Sequence, residues 1–307
     1  MGCVLCPRRC NIDRAAGAKG FCQAGWLPRV ALADLHFWEE PCISGTRGSG
    51  AVFFSRCNLA CAFCQNHEIS QPRVGEVGRE LDAPALKEVF FALEARGAHN
   101  INLVSPTHYA GVIAEAIEMA KKEGIRIPFV YNSNGYDSME GLRLMDGLID
   151  VYLPDLKYHS DVLAMRYSSA PSYFRHATSA ILEMARQVGT PVFDSAGMIR
   201  KGLIVRHLVL PGNVEDSKAV LRWIKYNLPA GTFVSIMSQY YPVHRAWNFP
   251  ELSRKLRADE YEEVVEECLK IGLEDGYFQE LSSAVPEYTP DFLGEDRRSP
   301  ASNLSGM

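Results

Sequence analysis

Three cysteines share one short stretch, Arg56-Cys57-Asn58-Leu59-Ala60-Cys61-Ala62-Phe63-Cys64-Gln65-Asn66, at the spacing C-x3-C-x2-C. Iron–sulfur clusters are held by cysteine sulfur, and a 4Fe-4S cluster is saturated by four thiolates. Three thiolates leave one iron open, just as a catalytic zinc keeps a position that a structural zinc does not. Cys57, Cys61 and Cys64 therefore read as cluster ligands with room for a substrate or cofactor on the fourth iron. A zinc ion with a remote fourth ligand, or three incidental cysteines, are the competing readings. A second set, Cys3, Cys6, Cys10 and Cys22, is spaced C-x2-C-x3-C-x11-C. Four thiolates so close together suit a structural zinc, a second 4Fe-4S cluster that relays electrons, or a loop without metal. Cys42 could substitute as a ligand, although a lone cysteine is more often a small buried apolar group, and Cys268 reads as core.

Those 9 cysteines sit in a chain of 307 residues with 32 Lys+Arg, 37 Asp+Glu and 47% hydrophobic residues. That composition excludes a disordered, collagen-like or coiled-coil chain. The formal net charge of -5 argues against a protein that coats nucleic acid or an anionic membrane. The start, Met1-Gly2-Cys3-Val4, has no apolar signal core, and no apolar run is long enough to cross a bilayer. A cytoplasmic protein with reduced cysteines free for metal is the expectation.

The elements that must position these groups follow from the apolar pattern. Near-continuous apolar runs at 51–55, 101–105, 127–131, 151–154, 203–210 and 233–237 suit parallel strands buried on both faces. Helical patterns at 83–96, 110–123, 139–148, 177–188, 215–227 and 259–271 lie between and after them. Asp82 reads as a helix cap, and Gly97, Gly124 and Gly189 as helix stops. Alternating βα units make a doubly wound sheet or a barrel, with the chemistry at the carboxyl ends of the strands. There the chain carries Cys57, then Ser105-Pro106-Thr107-His108, Asn132-Ser133-Asn134-Gly135, Asp155 with Lys157, and Gln239-Tyr240-Tyr241. A hairpin is expected at 191–201, ahead of the fifth strand.

The cluster motif at the end of the first strand resembles that of the radical SAM superfamily. Within it the chain is similar to uncharacterised relatives of pyruvate formate-lyase-activating enzyme, through Trp38-Glu39-Glu40-Pro41-Cys42-Ile43-Ser44-Gly45, Cys64-Gln65-Asn66, Tyr152-Leu153-Pro154-Asp155-Leu156-Lys157 and Arg206-His207-Leu208-Val209-Leu210-Pro211-Gly212. The resemblance implies an α/β fold, a partial (β/α)6 TIM-like barrel at 49–280, preceded by a cysteine-rich metal segment at 1–48 and followed by an extended or disordered tail at 281–307. It implies an oxidoreductase that reductively cleaves S-adenosylmethionine at a 4Fe-4S cluster, and a low-potential electron donor such as flavodoxin or ferredoxin. The 5′-deoxyadenosyl radical so formed would abstract hydrogen from a glycine of a partner protein, or from a small metabolite or another macromolecule. A non-catalytic iron–sulfur or zinc protein for electron transfer or assembly is the reading of another class.

The same resemblance assigns roles residue by residue. Phe63 would pack on the adenine, Asn134 and Gly135 would meet the ribose side, and Asn66 and Gln239 would join the cofactor site. Asp155 and Lys157 would face the cofactor and activated substrate, with either Arg206 or His207 pointing into the barrel. The activating enzymes carry Gly-Gly-Glu after the second strand to hold the methionine amino group. Here Ser105-Pro106-Thr107-His108 stands in that place, so Thr107, His108 or backbone carbonyls would have to meet it.

Overall fold

A computed structural model describes residues 2–71 and 77–293. In chain order the elements are β1 (Arg29–His36), α1 (Pro41–Ser44), β2 (Ser49–Phe54), α2 (His67–Ser70), β3 (Arg79–Glu80), α3 (Ala83–Ala95) and β4 (Ile101–Val104). There follow α4 (Ala110–Glu123), β5 (Phe129–Ser133), α5 (Met139–Met145), β6 (Val151–Pro154), α6 (Asp161–Ser168) and α7 (Tyr173–Val188). The last are β7 (Val192–Phe193), β8 (Ile199–Leu208), α8 (Val214–Asn227), β9 (Phe233–Met237), α9 (Ala258–Lys270) and β10 (Gly276–Phe278).

Every residue of β2, β4, β5 and β6 is buried, as their continuous apolar runs require. The strands run β10-β9-β8-β6-β5-β4-β2-β1-β3 across one sheet. From β2 to β10 each neighbour is parallel and each crossover steps the same way round, which is a barrel and not a doubly wound sheet. Among the described residues the barrel stays open, since β1 and β3 add antiparallel to β2 and no pairing joins β3 to β10. The partial barrel expected from sequence is present, widened by β1, β3 and β10, which are not among the six expected strands. The hairpin is there too, as β7 against the start of β8.

Local signals act as their chemistry dictates. The Asp82 carboxylate accepts from the Ala85 amide and caps α3, while Gly124 ends α4 in the left-handed region at φ 96°. Helix α1 plugs the barrel: Cys42 and Ile43 join Val130, Val151, Leu153 and Ile204 in one buried cluster. Cys42 is therefore packing, not a ligand. Among the described residues no helix is long and apolar enough to cross a membrane.

The segment expected to trail off as a tail packs back on the barrel as far as residue 293. Tyr288 stacks on Trp38 at 4.6 Å, and Phe292, 2% exposed, lies edge-on to Phe53 at 5.4 Å. Its apolar ring holds it there; residues 294–307 lie outside the described residues. Phe292→Ala should lower the unfolding free energy by about 3 kcal/mol, the usual cost of emptying a buried aromatic site. Urea unfolding would check this, and an unchanged midpoint would show that the contact carries no stability.

Candidate functional site

A cavity of about 400 Å³ occupies the barrel and opens past the carboxyl ends of its strands. Cys57, Cys61 and Cys64 line it, together with Phe63, Asn66, Asn134, Asp155, Lys157, Arg206 and Gln239. Ten of the residues singled out from sequence thus converge on one space.

The cluster loop is fixed by its backbone. The Ala60 and Ala62 amides donate to the carbonyls of Ser168 and Tyr167 at 3.0 and 2.7 Å, and the Arg245 guanidinium donates to the Ala60 carbonyl at 2.7 Å. Each thiol has a polar side-chain partner. The Asn134 amide donates to Cys57 Sγ at 3.3 Å, Ser168 Oγ donates to Cys61 Sγ at 3.0 Å, and Ser70 Oγ lies 3.1 Å from Cys64 Sγ. Burial pushes the Cys57 thiol up to about 12 and Cys64 to about 11, and raises Cys61 as well, though Lys157 opposes the rise at Cys61. Three adjacent thiols are costly to ionise here unless something strongly cationic binds them.

Among the described residues no three His, Cys, Asp or Glu side chains converge as closely as the ligands of a single ion do. The loop has no need of that, because a cubane spreads its thiolates over separate iron corners. Three buried thiols with hydrogen-bonding partners, facing a roomy cavity, fit a cluster. The N-terminal set differs. Cys3, Cys6, Cys10 and Cys22 line a void of about 10 Å³, and as placed they do not converge as the ligands of one ion would.

Opposite the loop lies a chain of buried charges. Lys157 Nζ donates to Asp155 Oδ2 at 2.6 Å, Arg206 Nε donates to Asp155 Oδ1 at 3.0 Å, and Arg206 also donates to Glu39 Oε2 at 3.0 Å and to Asn132 Oδ1 at 2.5 Å. Glu39 Oε1 accepts from Asn102 at 2.8 Å and Asn132 at 3.2 Å. Burial works to raise the Asp155 carboxyl, but Lys157 and Arg206 outweigh it and hold the group below its ordinary value. Burial likewise works to discharge Lys157, and Asp155 outweighs it, so the pair stays ionised. Of the two candidates on β8, Arg206 is the one that points inward. His207 instead lies with its ring nitrogens 2.7 Å from the Leu156 carbonyl and 2.9 Å from Ser217 Oγ, and burial lowers its pKa.

Three residues assigned to cofactor binding are placed elsewhere. Ser105 takes φ 59°, a left-handed conformation rare for a residue with a side chain, and lines the cavity itself. Beyond that turn Thr107 donates to Asp137 Oδ1 at 2.7 Å, and His108 lies 3.0 Å from the Ser55 carbonyl, facing the void of the N-terminal cysteines. Neither Thr107 nor His108 lines the cavity, which corrects the expectation that they meet the methionine amino group. Gly135 is also behind the wall. At φ 76°, a Cβ there would come within 2.3 Å of the Asp155 carbonyl oxygen, so glycine serves the turn.

Glu39, Glu40 and Gln279 also line the cavity, and no local sequence signal marks them for it. The Gln279 amide donates to Gln239 Oε1 at 3.0 Å, and Gln239 donates to Gln65 Oε1 at 3.3 Å, forming an amide ladder beside the loop. Phe63, edge-on to Tyr240 at 6.0 Å, adds an apolar wall.

Arg206→Met should lower the unfolding free energy by about 3–5 kcal/mol, since it leaves Glu39 without a cation and Asp155 with Lys157 alone in the barrel. The sign with pH follows from Asp155, whose folded pKa lies below the unfolded value near ~3.9. The stabilisation is full above that value and fades as pH falls through the folded one. The gap between variant and parent in urea unfolding should therefore narrow in acid; a constant gap would refute the ionic account.

A family model described as "Radical SAM superfamily" matches residues 51–224. The chain is 29% identical to the uncharacterised protein MJ0674 of Methanocaldococcus jannaschii over 278 residues, 89% of this chain and 75% of that one. Its fold is similar to SuiB of Streptococcus suis bound to the precursor peptide SuiA, with TM-score 0.51, 12% identity and coverage of 79% of this chain and 51% of SuiB. The SuiB complex with S-adenosylmethionine gives the same TM-score at 13% identity, over 76% and 50% of the two chains. The chain spans about half the length of SuiB. A domain of pyruvate-formate lyase-activating enzyme from Bacteroides vulgatus aligns over 56% of this chain and 92% of its own, at TM-score 0.41 and 10% identity.

Proposed function

The chain belongs to the radical SAM superfamily, and from that premise we propose that it is an activase-like enzyme that takes hydrogen from a glycine of a partner protein. The observation that carries a catalytic reading is the convergence of three buried thiols and a fixed charge chain on one cavity. Cys57, Cys61 and Cys64 would hold a 4Fe-4S cluster and leave one iron open to S-adenosylmethionine, and the pair would supply reductive cleavage of the cofactor for hydrogen abstraction.

The protein's own part is orientation and exclusion of water. Phe63 offers an aromatic wall to a flat base, and Asn66, Asn134 and Gln239 offer amide donors and acceptors around it. Lys157 and Arg206, both held charged by Asp155, present fixed positive ends to a cofactor carboxylate or an activated substrate. Ser105 replaces Thr107 and His108 as the cavity-lining side chain at the end of β4. A structural zinc on Cys3, Cys6, Cys10 and Cys22 is preferred to a second cluster because short C-x2-C knuckles are common in zinc sites. The chain has Ser105-Pro106-Thr107 where activases carry Gly-Gly-Glu, and this departure favours a second reading, action on a small metabolite or another macromolecule. Flavodoxin or ferredoxin would serve as the electron donor.

Anaerobically reconstituted and reduced protein should release 5′-deoxyadenosine from S-adenosylmethionine, and Cys61→Ala should reduce the yield to background. Absence of product from the parent protein would leave an iron–sulfur or zinc protein without this catalysis. A glycyl-radical EPR signal on a candidate partner separates the activase from the second reading. Metal counting on anaerobic protein should give about four iron atoms and one zinc per chain; about eight iron atoms would assign the N-terminal thiols to a second cluster.

A further inference from the structure

The cluster loop has two sides. Cys57, Cys61, Phe63 and Cys64 line the cavity, whereas Ala60, Arg166, Arg245 and Trp247 do not. From Asn58 to Ala62 every residue is buried except Ala60, the neighbour of Cys61, so the loop meets the outer surface there. What surrounds Ala60 is firmly held. The end of α6 lies on one side, where the Ser168 carbonyl accepts the Ala60 amide at 3.0 Å. On the other side the Arg245 amide donates to the Ala62 carbonyl at 2.8 Å, and its guanidinium donates to the Ala60 carbonyl at 2.7 Å. Arg8 joins both, donating to the Asn58 carbonyl at 3.0 Å and the Ser169 carbonyl at 2.5 Å.

Two large apolar side chains stand out from this frame. Trp247, two residues past Arg245, is 63% exposed, and Met165, in the last turn of α6, is 50% exposed. Apolar groups left open among charged ones mark protein contact sites, and tryptophan beside arginine is the pairing that carries most of their energy. Arg8, Arg166 and Arg245 supply the charge. Arg166 is matched by Glu251 at 2.8 Å, whereas Arg8 and Arg245 have no carboxylate partner among the described residues. Asp161 on α6 and Glu68 on α2 pair with neither. The chain as a whole carries a net charge of -5, so an acidic partner is repelled elsewhere and steered to this face.

The loop's position says what such a partner brings. Reductive cleavage takes up one electron, which has to come from outside the barrel. The cavity side is taken by the cofactor and the substrate, while at Ala60 a single residue separates the surface from Cys61. We infer that the face formed by Ala60, Arg245, Trp247, Met165 and Arg166 is the docking surface for a small acidic protein that carries single electrons. The inference rests on the radical SAM reading and adds the place where its electron enters. The carrier is oxidised by one electron, the group held by the three thiols is reduced by one, and no bond forms or breaks.

The test is anaerobic titration calorimetry of the reconstituted, unreduced holoenzyme with oxidised carriers: flavodoxin and a plant-type ferredoxin as acidic ones, cytochrome c as a basic one. At least one acidic carrier should bind saturably and more weakly as salt is added, and cytochrome c should not bind. Trp247→Glu should weaken the binding about tenfold or more. Supplied reduced and limiting, the same carrier should drive 5′-deoxyadenosine formation more slowly in the variant by a similar factor, while dithionite drives both proteins equally. Equal affinity in variant and parent, indifference to salt, equal binding of cytochrome c, no saturable binding of either acidic carrier, or an equal loss with dithionite overturns the inference. So does a parent dimer that Trp247→Glu splits, which would give the face to a second copy of the chain. Should Trp247→Glu fail to fold, Met165→Glu is read by the same criteria. Failure of the parent to form 5′-deoxyadenosine with dithionite counts against the radical SAM reading alone, since the calorimetry needs no turnover.

Discussion

The interaction on which the rest depends is the buried chain Lys157–Asp155–Arg206–Glu39. It ties the end of β6 to β8, and through Glu39 it ties the segment before α1 to β4 and β5 by way of Asn102 and Asn132. Four charges inside a barrel are not a cheap route to stability, since desolvation consumes most of their attraction. They are tolerable only as a complete set with every arm engaged. A barrel packed with leucine would be more stable and would have no room for a ligand. The charge chain keeps the interior polar and hollow while α1 seals the floor with Cys42 and Ile43.

Much of this was legible in the sequence, for a physical reason. Parallel strands covered on both faces need continuous apolar runs, so β2, β4, β5, β6, β8 and β9 show themselves. β1 does not, because it pairs antiparallel to β2 and is half-buried over much of its length. β10 has three residues and no room for a pattern. The cluster loop is legible because its chemistry is local, three ligands within one turn of chain. The charge chain is only half legible. Asp155 and Lys157 announce themselves at a strand end, whereas Glu39 arrives from more than a hundred residues away, and nothing near it signals Arg206.

The misplacement of Thr107 and His108 shows where such reasoning stops. Polar residues after a strand face the site only if the backbone carries straight on. The left-handed Ser105 redirects it, and serine, unlike glycine, gives no warning of that conformation. His108 then serves the N-terminal segment, where Arg14 donates to its carbonyl.

The N-terminal segment itself is joined to the cluster loop through Arg8, whose guanidinium lies 3.6 Å over the Phe21 ring and whose Nε donates to the Asn58 carbonyl at 3.0 Å. The Asn58 side chain accepts from Asn134, which also donates to the Cys57 sulfur. Arg8, Asn58 and Asn134 thus bridge the N-terminal segment and Cys57. Any coupling along this path would be reciprocal: order gained in the N-terminal segment and order gained in the cluster loop would favour each other by the same amount.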